Sequence, residues 1–168
     1  MKGDWEMNVV ITKQVHAPQD LVFSMWTDGN HLLHWWGSPG VKLDVVSIDV
    51  KPGGLFHYKQ TLPDGQVVYG KFTYHKVESP NKLAFTSSFA DEQGETIRAP
   101  FNESWPLEIL NTLSFSEENG ETTIEIEGLP FNATEEERAV FQSAEEAIKK
   151  GFSGTFAQLE AYIENIRS

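Results

Sequence analysis

Apolar residues first recur in Val9–His16, a β-branched stretch that alternates in part with polar positions, as a half-buried strand does. Ala17-Pro18 follows, and proline is tolerated at the first helical position because its missing N–H would have no intrahelical partner there. Leu21, Val22, Met25 and Trp26 then share one helical face, and Thr27-Asp28-Gly29 ends the helix. Asn30 is read as the cap of a second short helix, His31–Trp36, which stops at Gly37-Ser38-Pro39-Gly40. A two-residue period then takes over. Strands are predicted at Leu43–Val50, at Leu55–Leu62 and Val67–Val77 around the turn Pro63-Asp64-Gly65, and at Leu83–Phe89. Two more follow at Glu108–Phe115 and Thr122–Glu127, joined by the tight turn Glu118-Asn119-Gly120. A register with Tyr58 opposite Gly70 sets Phe56 against Phe72 on the same face. Ala90–Pro106, which holds Pro100 and Pro106, reads as a looser segment.

The last quarter has a helical period. Thr134-Glu135-Glu136-Glu137 is a capping box, whose hydroxyl and carboxylate satisfy free backbone donors at a helix start. Apolar residues recur from Phe141 through Ile148, Phe152, Phe156, Leu159 and Ile163 to Ile166, which predicts one helix of about 33 residues, roughly 50 Å long. Gly151 and Gly154 are the places where a kink or a close backbone approach is expected. One strand, two short helices, about six strands and one long helix make an α+β chain, an antiparallel sheet wrapped against a single helix.

Composition narrows the classes of function. The chain has 168 residues, the size of one domain, so residues 1–168 are read as a single domain with a core at about 8–166. Lys and Arg number 13 against 25 Asp and Glu, and a net charge of -12 repels nucleic-acid phosphate and anionic membrane surfaces. Without cysteine there is no disulfide, thiolate nucleophile or cysteine-ligated zinc. Met1–Asn8 lacks the apolar core of a secretory signal, no run reaches the ~20 apolar residues of a membrane span, and a cytoplasmic protein is expected. The triplets at Asn102 and Asn132 are accordingly read as chance matches to a glycosylation signal.

Several short motifs together resemble one family. They are His16-Ala17-Pro18, Val22-Phe23, Trp26-Thr27-Asp28, His31-Leu32 and Trp35-Trp36-Gly37 near the start. Asp49-Val50-Lys51-Pro52-Gly53-Gly54, the Pro63-Asp64-Gly65 turn with Gly70, and Ser79-Pro80 with Leu83 continue the pattern. Trp105-Pro106-Leu107-Glu108 and Gly151-Phe152 with Phe156 and Leu159 complete it, Phe152 standing where tryptophan is frequent. Over residues 8–164 the chain resembles the heat-shock protein 90 ATPase activator homologues of the START-like (SRPBCC, helix-grip) superfamily. The resemblance implies a helix-grip fold: a curved antiparallel sheet of six to seven strands around a long C-terminal helix, often with an apolar cavity between them. The superfamily hosts lipid carriers, hormone receptors, cyclases and cochaperones. The family's large eukaryotic cochaperones carry an additional N-terminal domain, for which this chain has no room.

The expected function is to bind a small hydrophobic molecule, lipid or polyketide-like, in that cavity. Strand phase and the family place Phe56, Tyr58, Phe72, Tyr74, Phe85, Phe89 and Phe115 on its walls, with Phe152 and Phe156 from the helix and Trp26, Trp35 and Trp36 at its entrance. Gln60 and Asn111 are its inward polar groups, while His57 and His75 face outward. Two alternatives stand beside this: a cochaperone-like domain that modulates a chaperone ATPase, and a cyclase or hydrolase of an aromatic or polyketide substrate. No catalytic residue is assigned, because no spacing links His57, His75, Glu103 and Glu108 into an acid–base unit and Ser153 has no partner base. No metal is assigned either: His31 and His34 stand at i and i+3 without a third ligand. Gly53-Gly54 lacks the Lys-Ser/Thr of a phosphate loop, and no cofactor is expected. Glu135–Glu137 reads as a solvated face, or as a surface for a basic protein partner. A monomer or homodimer is expected.

Overall fold

The computed structural model describes residues 8–167; the charged start, residues 1–7, and Ser168 lie outside the described residues. The chain opens with β1 (Val9–Val15), α1 (Gln19–Thr27) and α2 (Gly29–Trp35). The strands β2 (Lys42–Ile48), β3 (Leu55–Thr61), β4 (Val67–Glu78) and β5 (Lys82–Ala90) follow in series. After the two-residue β6 (Thr96–Ile97) come β7 (Glu108–Glu118), β8 (Glu121–Phe131), α3 (Glu135–Ser143) and α4 (Glu145–Arg167). All pairings are antiparallel, in the order β1-β8-β7-β5-β4-β3-β2, with β6 paired to β5 outside this path. The fold is the expected α+β helix-grip, seven strands in one path plus β6, with the first two strands at opposite edges. Bulges between Val45 and Ser47 and between Tyr74 and Lys76 add local bend and twist to the sheet.

The sequence predicts most of these elements for reasons the structure bears out. Tyr58 pairs with Gly70 and Phe56 with Phe72, the expected register. Between β7 and β8, Asn119 and Gly120 have φ of 56° and 79°, the two positive values a two-residue hairpin turn requires. Three expectations need correction. The cap of α2 is Asp28, whose carboxylate accepts from the Asn30 N–H at 2.9 Å; Asn30 is already inside the helix. Ala90–Pro106 is not wholly loose, since β6 pairs with the end of β5. The last helix is two helices, broken at Ala144 (φ -96°, ψ 8°), with Gly151 and Gly154 inside an unbroken α4. The break lets α3 set Phe141 against Trp105, with ring centres 5.7 Å apart, while α4 sets Phe156 on Trp26 of α1 and Phe152 on Trp36, the residue that caps α2. Nor does Gly154 mark an approach that only glycine allows, for a Cβ there would meet Pro39 at an ordinary contact distance of 3.5 Å.

One buried cluster joins the sheet to α1, α2 and α4. Phe72 stacks on Phe85 with centres 4.1 Å apart, and Trp26 meets Trp35 edge-on at 4.7 Å. Each such fully buried ring contributes about 1.5–3 kcal/mol relative to exposure. Among the described residues no helix is long and apolar enough to cross a membrane.

Candidate functional site

Beyond that packed cluster the sheet and α4 separate, leaving a cleft of about 410 Å³. Its floor is built from the sheet: Val9 and Ile11 of β1, Ile126 and Gly128 of β8, Ile109 and Asn111 of β7, Ser87–Phe89 of β5, Gly70 of β4, and Tyr58 and Gln60 of β3. Ile148, Gly151, Phe152 and Thr155 of α4 face it, Phe141 of α3 adds to the wall, and the segments 36–38 and 105–107 complete it.

Both of these segments are held by hydrogen bonds to the helices. The Gly37 carbonyl accepts from the Thr155 hydroxyl at 3.1 Å and from the Gln158 amide at 2.6 Å, and Gln158 also donates to the Trp35 carbonyl at 3.2 Å. These bonds pin the end of α2 to α4. On the other side, Arg98 pairs with Glu137 and donates to the Trp105 carbonyl at 3.4 Å, while the Ser104 hydroxyl donates to Glu136 at 3.1 Å. The Thr134 N–H and the Arg98 guanidinium hold the Glu137 carboxyl below the usual carboxylate range. Two of the three acids in the first turn of α3 therefore anchor the 98–105 segment.

Among the described residues no Asp, Glu, Lys, Arg or His lines the cleft. Among those residues Tyr58 is its one titratable side chain, pushed up to about 12 by burial, against the opposing effect of a hydrogen bond with Trp36. Gly70 is what lets the Tyr58 ring lie flat here, because a Cβ at that position would stand 2.5 Å from the Tyr58 hydroxyl. Asn111, 6% exposed, donates through Nδ2 to Ser87 Oγ and to the Ile109 carbonyl, both at 3.1 Å. The Gln60 side-chain amide has no hydrogen bond to any described residue.

Of the residues named from sequence, Trp36, Tyr58, Gln60, Phe89, Asn111 and Phe152 line the cleft. Trp26, Trp35, Phe56, Phe72, Tyr74, Phe85, Phe115 and Phe156 do not; they fill the core beside it. Trp35 is no entrance residue, since its indole N–H is buried and donates to the Met25 carbonyl at 3.0 Å. The physical reason is that these rings pack on one another and leave no space between. Sequence reasoning missed the small floor residues Gly70, Ser87 and Gly128 and the Trp105–Leu107 wall; glycines and serines at inward strand positions were the available signal. His57 lies off the cleft, its Nε2 3.0 Å from the Asp91 carbonyl, under the turn that carries Gly94. His75 is exposed beside Thr86. His31 and His34 both engage Tyr162, the first at 2.7 Å from its hydroxyl and the second stacked on its ring at 5.1 Å. Among the described residues no three His, Asp or Glu side chains converge on a metal site.

The sequence profile of the "Activator of Hsp90 ATPase homolog 1-like protein" family matches residues 16–164. The chain belongs to this family. No curated protein is significantly similar to it. Among solved structures, the family fold recurs in a protein from Arthrobacter aurescens, 25% identical, at a TM-score of 0.79 over 98% of this chain and 90% of that one. A Mycobacterium smegmatis protein is 23% identical with a TM-score of 0.78, covering 99% of this chain and 96% of its own. A Staphylococcus epidermidis protein is 22% identical with a TM-score of 0.77, covering 98% and 92%. These likenesses extend over nearly the whole chain and establish the fold.

Proposed function

We propose that the protein is a non-enzymatic binding protein that holds one small hydrophobic molecule, lipid or polyketide-like, in the cleft between the sheet and α4. One observation carries this reading: a hollow of about 410 Å³ whose wall is apolar apart from a few neutral polar groups and, among the described residues, has no charged side chain. Small-molecule sites typically run to roughly 300–1,000 Å³ with such a lining. Its volume equals that of about 14 waters, which an apolar ligand would release. An acid–base enzyme needs a group that titrates near neutral pH at the reacting atoms. Tyr58, pushed up to about 12, is unsuited to that task, which favours binding over cyclase or hydrolase chemistry.

The test is a titration with N-phenyl-1-naphthylamine, an uncharged dye that brightens in apolar sites, joined to native mass spectrometry. Saturable one-to-one binding that Gly128→Phe abolishes is the expected result, since that ring would fill the floor. A dye that neither brightens nor forms a one-to-one complex with the folded protein would remove the proposal.

A further inference from the structure

Resting on that reading of the cleft, we infer that its preferred ligand carries an alcohol or phenol hydroxyl, with Asn111 and Ser87 as the residues that select it. The orientation of the Asn111 amide is fixed by chemistry. The Ile109 carbonyl can only accept, so the amide atom 3.1 Å from it is the nitrogen. Nδ2 also faces Ser87 Oγ at 3.1 Å, so both of its protons are engaged. The other amide atom, Oδ1, receives no hydrogen bond from any described residue. It lies beside Gly128, 3.7 Å from where a Cβ would be, at a floor position with no side chain to cover it.

Ser87 Oγ accepts from Asn111, which leaves its own O–H free to donate; it finds no acceptor among the described residues. An acceptor and a donor, both neutral, thus stand side by side on the cleft floor. A hydroxyl answers both, giving its proton to Asn111 Oδ1 and accepting from Ser87. An ether or ester can only accept, so it leaves Oδ1 unpaired in a buried site. A carboxylate does the same and adds a negative charge where, among the described residues, no cation lines the wall. The nearby cations do not repair this: Arg98 is paired with Glu137, Lys149 with Glu145, and Lys150 is exposed on α4 outside the lining. Gln60 offers both a donor and an acceptor, so it does not discriminate.

The experiment displaces N-phenyl-1-naphthylamine from the full-length protein with 1-decanol, 1-methoxydecane and decanoate at pH 7.5. The ether is more apolar than the alcohol, so hydrophobic transfer alone predicts that the ether competes better. The inference predicts the reverse, with decanol about tenfold stronger than the ether and decanoate weaker than both, the factor expected for one buried acceptor left unpaired. In Asn111→Leu, with each competitor scored against the dye affinity measured for that variant, decanol and the ether come to within about twofold of each other. The wild-type series decides by itself if that variant does not fold. Equal competition by the three ligands, tight decanoate binding, or an alcohol preference that survives in Asn111→Leu overturns the inference and leaves the binding reading standing. Absence of dye binding to the folded wild type overturns both.

Discussion

Two glycines on the cleft floor sit in β-strands, yet alanine at each should act in opposite directions. At Gly70 a new Cβ would lie 2.5 Å from both Cζ and the hydroxyl of Tyr58, whereas ordinary contact begins at 3.4 Å, so the ring tip must move by about 0.9 Å. That ring is not loose: Phe56 and Phe72 sit 4.9 and 5.8 Å from its centre, and it shares a hydrogen bond with Trp36. Overpacking of this kind costs about 1–3 kcal/mol. Replacing glycine by alanine in a strand returns roughly 0.5–1 kcal/mol. The net expectation for Gly70→Ala is a loss of about 1–2 kcal/mol, a fall in Tm of roughly 2–8 °C for a chain of this length. At Gly128 the nearest atom to a new Cβ is 3.7 Å away, so only the favourable part remains and Tm should rise by roughly 1–4 °C. Thermal and urea unfolding followed by tryptophan fluorescence read both. Tyr58→Leu removes the ring, and in that background Gly70→Ala should lose its penalty, a coupling that a double-mutant cycle isolates. Gly70→Ala as stable as wild type, or equally damaging with and without Tyr58, would refute the reasoning.

Glu137→Gln should destabilise by about 1 kcal/mol at pH 7 through its capping box and its pairing with Arg98. The folded carboxyl titrates below its unfolded value, so its stabilisation is present above the ordinary carboxylate range. It is lost as pH falls through that range to the lowered value, and urea midpoints of wild type and variant should therefore converge in acid. Tyr162→Phe removes the hydroxyl 2.7 Å from His31 while keeping the ring on which His34 stacks, a loss of about 0.5–1.5 kcal/mol in the same assay. Gln158→Leu cuts two bonds to the end of α2 but leaves Thr155 on the Gly37 carbonyl. Amide exchange at residues 36–38 should speed up severalfold while that of the sheet stays unchanged.

The strands were legible because their determinants are local. Pro63-Asp64-Gly65 fixes a hairpin and its length fixes a register, so Tyr58 opposite Gly70 follows from the residues between them. The break at Ala144 was not legible, for alanine is the best helix former and the apolar stripe runs straight through it. What ends α3 is tertiary: Phe141 reaches Trp105, thirty-six residues earlier in a segment without regular pattern, and no short window of sequence contains both. The same applies to His57, outward by alternation yet 5% exposed, because the turn at Asp91–Gly94 folds over it.

The cleft itself shows why ring-rich positions are a poor guide to a hollow. Aromatic side chains gain most by touching each other edge-on or stacked, as Phe72 does with Phe56, Tyr58, Trp36 and Phe85. A strand face dense in rings thus closes on itself, and eight of the fourteen residues named from sequence ended in that solid part. Space appears where the inward phase brings a short side chain, at Gly70, Ser87 and Gly128, three strands that neighbour one another through β5 and β7. The rings that do reach the hollow, Tyr58, Phe89 and Phe152, border those gaps and shape them. None of the described acidic residues belongs to this wall, so on the proposed binding reading charge would act on the approach of a ligand and not on its seat. On that reading, what remains inside to distinguish one ligand from another is neutral hydrogen bonding, and Asn111, pinned by two bonds with one acceptor to spare, is the group we propose for it.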